Sequence, residues 1–132
     1  MKLSGDSMCF ACGRENPISL GLEFELNSHG QAVAAFIARD VHQGYDNIMH
    51  GGLVSTLLDE AMAKVLYLHN IKAVTAEMKT RFKKPVKIGD EVEIIGIFNN
   101  KHGKLLFTEA YLKDKDDRVI ARAEAKFIEI KD

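Results

Sequence analysis

The chain has 132 residues, of which 46% are hydrophobic and 28% are charged, values typical of a folded globular protein. A chain of this length buries roughly two-thirds of its unfolded surface on folding, which predicts a single domain over residues 1–132. The net charge of −1 argues against nucleic acid as a partner. No apolar run reaches the roughly 18 residues of a membrane span, and the first residues lack the apolar core of a signal peptide. We therefore expect a cytoplasmic protein without a membrane partner.

Residues 1–20 are predicted to form an N-terminal lead-in that contains the only two cysteines, Cys9 and Cys12. Their CxxC spacing is compatible with three interpretations. A zinc site needs further ligands, from histidines or from a second subunit. A redox pair normally lies between a strand and a helix, whereas this pair precedes every strongly periodic segment. The pattern favours two reduced, partly buried thiols in an N-terminal turn, with a metal site as the main alternative.

Two alternating segments, residues 21–26 and 32–38, flank a turn-prone stretch and predict a β-hairpin. A polar loop over residues 41–52 follows and is longer than most structural connections. Residues 53–69 predict a helix, because they are rich in Leu, Ala and Met and contain neither Gly nor Pro. Apolar residues cover most of the helix circumference, which predicts burial on nearly all sides. Glu60 and Lys64, four residues apart, are expected to pair on its thin polar side.

Four more strands are predicted over residues 73–83, 91–99, 105–113 and 119–130, with a turn signal at each boundary. The second of these boundaries is placed at Asn99 and Asn100 with Gly103. In the last strand, small and apolar residues alternate with charged ones, so one face is dry and the other wet. The order β-β-α-β-β-β-β with one apolar helix predicts an α+β fold in which a curved antiparallel sheet wraps around that helix.

The segment that leads into the helix carries the strongest chemical signal. Gly51 and Gly52 at a helix start let a ligand reach the backbone, where free N–H groups and the helix dipole favour a developing oxyanion. Asp59 lies two turns into the helix and is expected to face a cavity or an interface, because a lone buried carboxylate is costly. Each feature alone also fits a structural role: the glycines as a flexible joint, His50 as a hydrogen-bonding helix start, and Asp59 as the partner of a buried cation.

Together these residues resemble the hotdog-fold thioesterases of the phenylacetate-pathway (PaaI-like) type, within the 4-hydroxybenzoyl-CoA thioesterase superfamily. The resemblance covers residues 9–130 and rests on His50-Gly51-Gly52, Asp59, the strand over residues 74–82 and the turn over residues 85–90. It implies a hotdog fold and a homodimer, or a dimer of dimers, with active sites at the subunit interface. It also implies an acyl-CoA substrate, no metal, and no cofactor beyond the coenzyme A that belongs to the substrate.

The same resemblance assigns catalytic roles by position. The backbone N–H of Gly51 polarises the thioester carbonyl in one subunit, and Asp59 and Thr75 come from the other. Asp59 acts as a general base for water or as a nucleophile, and Thr75 holds the water or the carboxylate. His50 supports the loop and forms a hydrogen bond near the thioester.

The family often carries an Asn six residues before the His, and this chain has Gly44 there. His42 or Asn47 is therefore the expected second carbonyl donor. Alternate basic residues from Lys79 to Lys83 predict a basic strip for the phosphates of coenzyme A, with a solvated strand face as an equal interpretation. The resemblance adds the turn after the next strand as a nucleotide contact. The expected substrate-binding residues are His42, Asn47, Gly52, Glu77, Arg81, Phe82, Lys83, Asn100, Lys101, Gly103 and Lys104.

The leading hypothesis for the function is hydrolysis of an acyl-CoA thioester to a carboxylic acid and free coenzyme A. Two alternatives remain within the same fold. An enoyl-CoA hydratase would be expected to carry a different Asp/His pair on a loop and helix start, and Asp59 within the helix argues against it. A non-catalytic acyl-CoA-binding protein would normally lack that carboxylate.

Overall fold

The computed structural model describes residues 3–131, so residues 1, 2 and 132 of the predicted domain lie outside the described part. Six strands form one antiparallel sheet in the order β1-β2-β4-β5-β6-β3, and the sheet curves around one long helix. This arrangement confirms the predicted α+β hotdog architecture and element order. The elements are β1 Glu25–Leu26, β2 Ala32–Ile37, a 3-10 helix Asp40–His42, α1 Gly51–Leu68, β3 Ala73–Phe82, β4 Glu91–His102, β5 Leu105–Lys113 and β6 Val119–Glu129.

The core lies between one stripe of α1 and the dry face of the sheet. The buried stripe follows the three- and four-residue spacing of a helix face and consists of Val54, Leu57, Leu58, Ala61, Met62, Val65 and Leu66. Gly96 of β4 lets the helix lie close to the sheet, because a Cβ at this position would overlap the Ala61 carbonyl. The opposite side of α1 is only partly covered, and Tyr67 is exposed. The prediction of burial on nearly all sides is thus only partly right.

The predicted first hairpin is present, but β1 has only two residues, paired with β2. The start of the predicted strand lies outside the sheet, because Leu22 donates its backbone N–H to the lead-in, next to a hydrogen bond within the lead-in itself. Leu20 N–H donates to the Phe10 carbonyl and Leu22 N–H to the Ala11 carbonyl, each at 3.0 Å. The lead-in thus replaces the neighbouring strand over this stretch.

The β4–β5 hairpin is longer than predicted: of the turn residues expected at this boundary, Gly103 lies in the turn, whereas Asn99 and Asn100 belong to β4. Strand β4 continues to His102 through a bulge, and Asn100 pairs with Phe107 inside the ladder. The chain reverses at Gly103, which has a φ of +62° that glycine adopts without strain. The turn therefore begins three residues after Asn100, at Gly103.

Strand β6 alternates as predicted: Ala121, Ala123, Ala125 and Phe127 are buried, whereas Glu124 is exposed. Strand β3 lies at the edge of the sheet, and within residues 3–131 no strand pairs with its outer side. Among the described helices, α1 included, none has both the length and the hydropathy that a membrane crossing requires.

Candidate active site

The first turn of α1 has one free N–H group. His50 is the N-cap of the helix, and its Nδ1 accepts the Gly52 N–H at 2.9 Å. The Gly51 N–H has no acceptor among residues 3–131. Because the His50 side chain caps the helix, α1 begins at Gly51, two residues earlier than predicted. Because Nδ1 accepts this hydrogen bond, Nε2 is the ring nitrogen that is left to donate one.

A cavity of about 690 Å³ opens at this helix start. Its walls include His50 and Gly51 from the helix start, Tyr45 from the preceding loop, and Phe82 from the end of β3. The Phe82 ring lies 4.0 Å from the position that a Gly51 Cβ would take. The free N–H therefore belongs to a residue in the wall of a cavity, beside the positive end of the helix dipole. Such a position suits an oxygen that becomes negative during a reaction.

His42 supports the loop and does not line this cavity. It is buried; its Nδ1 accepts the Arg39 N–H at 2.9 Å, and its carbonyl accepts the His50 N–H at 2.8 Å. Its ring also packs against Phe36. Burial, aided by the nearby Arg39 charge, lowers the pKa of His42 and favours the neutral ring. The position of His42 fits a support for the helix cap and does not favour the expected role as a second carbonyl donor.

Asn47 is likewise absent from the cavity wall and forms part of a turn. It has a φ of 67°, and its N–H donates to Gln43 Oε1 at 2.6 Å. Gly44 does line the cavity, and a Cβ at this position would lie 3.2 Å from the His50 Cα. The missing side chain at position 44 lets the loop pack directly against His50. Neither His42 nor Asn47, the expected substitutes for the family Asn, lines the cavity.

The Asp59 carboxylate is hydrogen-bonded to Thr75. Thr75 Oγ1 donates to Asp59 Oδ1 at 2.8 Å, and no partner of Oδ2 is found among the described residues. Burial raises the pKa of the Asp59 carboxyl above its usual value, and the Thr75 hydrogen bond partly opposes this shift. Thr75 directly precedes a bulge in β3. The strand thus orients one carboxylate oxygen and leaves the other available.

Asp59 and Gly51 are too far apart to act on one carbonyl within a single chain. Eight residues separate them along α1, which corresponds to about 12 Å of helix. Asp59 is also absent from the walls of the cavity that contains Gly51. A reaction that uses both groups therefore needs the Asp59 of another copy.

The predicted basic strip is split into two parts. Strand β3 ends at Phe82, and the N–H groups of Lys83 and Lys84 both donate to the Ile120 carbonyl. This turn takes both lysines into the cavity wall, whereas Arg81 lies in a separate groove on the sheet. The expectation of one continuous strip is wrong because the two-residue alternation stops where the strand does. Sequence reasoning did not assign Tyr45 to the site.

The remaining expected substrate residues lie at other places. Glu77 and Asn100 line a groove of about 400 Å³ on the sheet, and Lys101 Nζ pairs with Glu129 Oε1 at 2.7 Å. Gly103 and Lys104 are exposed at the β4–β5 turn. None of the five residues Glu77, Asn100, Lys101, Gly103 and Lys104 lines the cavity at the helix start. Their contact with a nucleotide stays a prediction.

A curved antiparallel sheet around one helix, with a free N–H at the helix start and a carboxylate on the helix, defines a hotdog-fold protein with the components of an acyl-transfer site. The thioesterase superfamily model matches residues 46–121, and the chain belongs to that superfamily. This match confirms the family that the sequence motifs indicated.

The chain is similar to the bovine (Bos taurus) acyl-coenzyme A thioesterase THEM4, with 26% identity over 115 residues that cover 84% of this chain and 47% of the relative. It spans about half the length of the curated relatives it matches. Among solved structures, the E. coli PaaI protein from the phenylacetic acid degradation operon superposes with a TM-score of 0.78 at 19% identity, covering 85% of this chain and 81% of that one. A Streptococcus mutans protein bound to acetyl CoA gives 0.76 at 19% identity, covering 83% and 88%.

Proposed function

We propose that this protein hydrolyses an acyl-CoA thioester to a carboxylic acid and free coenzyme A. The observation that carries the proposal is the free N–H of Gly51, set in a cavity wall at the positive end of α1. The names of the relatives support the substrate class: one is an acyl-coenzyme A thioesterase, and another protein of the same fold was solved with acetyl CoA. We also propose that residues 1–132 form one catalytic domain, because the lead-in is hydrogen-bonded to the segment that precedes β1.

In the proposed mechanism, the thioester carbonyl oxygen accepts the Gly51 N–H. Asp59 takes a proton from a water molecule whose oxygen attacks the carbonyl carbon, and the negative charge moves to the carbonyl oxygen. The tetrahedral intermediate then collapses, the carbon–sulfur bond breaks, and the coenzyme A thiolate leaves and is protonated. Burial raises the pKa of Asp59 toward the working pH, which suits a general base.

We propose that two copies pair through β3 to complete each site. A two-fold axis that lies between the two β3 strands makes their pairing antiparallel, so the start of β3 in one copy lies opposite its end in the other. Thr75, which holds Asp59, is at the start, and Phe82, which lies beside Gly51, is at the end. Such pairing brings Asp59 of one copy toward Gly51 of the other and covers an unpaired edge. Lys83 and Lys84 in the cavity wall supply positive charge for the phosphates of coenzyme A.

The hydrolysis itself is tested with a panel of acyl-CoA substrates and a spectroscopic assay for released thiol. We expect wild type to hydrolyse at least one substrate and Asp59→Asn to lose most of the rate, because an amide cannot accept the proton. A wild type that hydrolyses no member of the panel, or an Asp59→Asn variant with full activity, contradicts the proposal.

The shared site is tested by mixing two inactive variants, Asp59→Asn and Gly51→Pro, after mild dissociation and reassociation. Random pairing makes half of the dimers mixed, and each mixed dimer contains one intact site, so about a quarter of the wild-type activity should return. The control is each variant treated alone. If the mixture stays as inactive as its parts, each active site does not combine residues from two chains.

A further inference from the structure

The CxxC motif of the lead-in contacts α1 at Glu60, the residue that follows the proposed base Asp59. Cys9 Sγ is 3.9 Å from Glu60 Oε2, although 51 residues separate them in sequence. The two sulfurs and one Glu60 oxygen all lie within 4.8 Å of one another. Glu60 was expected to pair with Lys64, and instead Lys64 Nζ binds Asp6 Oδ2 at 3.3 Å. The glutamate therefore faces the thiols.

We propose that Cys9, Cys12 and Glu60 bind a zinc ion. Ligand atoms on a tetrahedral zinc lie roughly 3.5–3.8 Å apart, given Zn–S distances of about 2.3 Å and Zn–O distances of about 2.1 Å. In the structure the two sulfurs and the Glu60 oxygen are up to 4.8 Å apart, so side-chain rotations that move these atoms by about 1 Å bring them into this range. Thiolates are soft ligands that select zinc over magnesium or calcium. Three protein ligands leave a fourth position for water or another small ligand.

The backbone of the lead-in holds the two thiols side by side. Cys9 accepts the Gly13 N–H at its carbonyl at 2.8 Å, and its own N–H donates to the Asp6 carbonyl at 2.9 Å. Gly13 is buried, and a Cβ there would overlap the backbone of Cys9 and Ser7. The turn closes only with glycine at that position, so the CxxCG sequence itself shapes the cradle for the two sulfurs.

The charge around the cluster suits a dication. Two thiolates and one carboxylate carry three negative charges, and zinc reduces the sum to −1. Lys64, which binds Asp6, lines the same cavity as Cys12 and Glu60, and its positive charge offsets part of the remaining negative charge. The cluster also borders a cavity of about 380 Å³, which gives the fourth zinc ligand access. The bound ion joins the lead-in to α1 one residue away from Asp59. The site does not depend on the proposed hydrolysis.

Zinc and cobalt titrations of reduced, metal-free full-length protein test this site. We expect one zinc per chain with a Kd of about 10⁻⁷ M or tighter, in line with thiolate zinc sites. We also expect the cobalt complex to show thiolate-to-metal charge transfer and the visible bands of a tetrahedral ion. The cobalt spectrum is recorded on wild type and so is independent of the folding of any variant. A spectrum without thiolate charge transfer overturns the proposal.

Variants assign the ligands. Cys12→Ser should weaken zinc binding by at least ~100-fold and Glu60→Gln by at least ~10-fold. The matched control is Glu15→Gln, the same chemical change at an exposed position of the lead-in, which should bind zinc like wild type. Unchanged affinity in Cys12→Ser or in Glu60→Gln contradicts the donor set.

Discussion

Gly51→Pro removes a single hydrogen-bond donor from the proposed site and leaves the helix intact. Proline is favoured at the first helical position, where its missing N–H has no helical partner. His50 has φ −57° and ψ 131°, the extended conformation that a residue before proline requires. The His50 cap on the Gly52 N–H is untouched, and the nearest atom to a Cβ at position 51 is Phe82 Cε1 at 4.0 Å. The variant therefore isolates the effect of the N–H group.

Loss of one oxyanion donor costs about 2.7–4 kcal/mol of transition-state stabilisation, so kcat should fall by ~10²–10³. Gly51→Ala is the matched control, because it adds a similar Cβ and keeps the N–H, and we expect its kcat to stay near wild type. The assay follows thiol release from the best substrate, with an enzyme-only blank because Cys9 and Cys12 also react. If Gly51→Pro and Gly51→Ala have equal kcat values, the oxyanion role of the Gly51 N–H is refuted. If both values are equally low, the added Cβ atom, and not the loss of the N–H, reduces the rate.

Two further predictions follow from contacts of α1. Thr75→Val removes the hydrogen bond that stabilises the ionised Asp59, so the pKa of the carboxyl should rise further and the acid limb of kcat/KM should move to higher pH. Thr75→Ser keeps the hydroxyl and should keep the profile; an unmoved limb in Thr75→Val would mean that Asp59 does not set it. Gly96→Ala forces a Cβ into the Ala61 carbonyl and should cost about 3 kcal/mol in the free energy of unfolding by urea, the upper end of overpacking costs. The exposed control Ala35→Ser should stay within about 0.5 kcal/mol of wild type, and a similar value for Gly96→Ala would contradict the close helix–sheet contact.

The order of the elements could be read from the sequence because each one depends on neighbouring residues. The composition of α1 and the alternation in β6 are local patterns, and the structure reproduces both. The exact ends of strands were less predictable. The β4–β5 turn forms at Gly103 and not at Asn99, because the ladder with β5 continues to pair residues past the bulge. Asn99-Asn100 and Gly103 are both turn signals, and the pairing of β4 with β5, which cannot be read from the sequence, decides between them.

The candidate site, like the fold, was predicted only in part from the sequence. His50-Gly51-Gly52 and Asp59 mark it from sequence, because capping chemistry and an acidic residue on an apolar helix are visible over a few positions. The family resemblance implied Gly51 as the donor, and the structure supplies the physical reason: His50 Nδ1 accepts the Gly52 N–H, whereas the Gly51 N–H has no acceptor among residues 3–131. The sequence does not show that Lys83 leaves the strip that includes Arg81, since that depends on where β3 stops pairing with β6.

The sequence by itself determined the order of the secondary-structure elements, the family and the identity of the main chemical groups, since each depends on residues close together in the chain. Only the tertiary structure decided which distant groups meet. It separated Asp59 from Gly51 by two turns of a rigid helix, and it placed β3 at the edge of the sheet. It also carried Cys9 across 51 residues to Glu60. Such meetings depend on how the sheet curves and how the lead-in folds back, and no local pattern in the sequence encodes those distances.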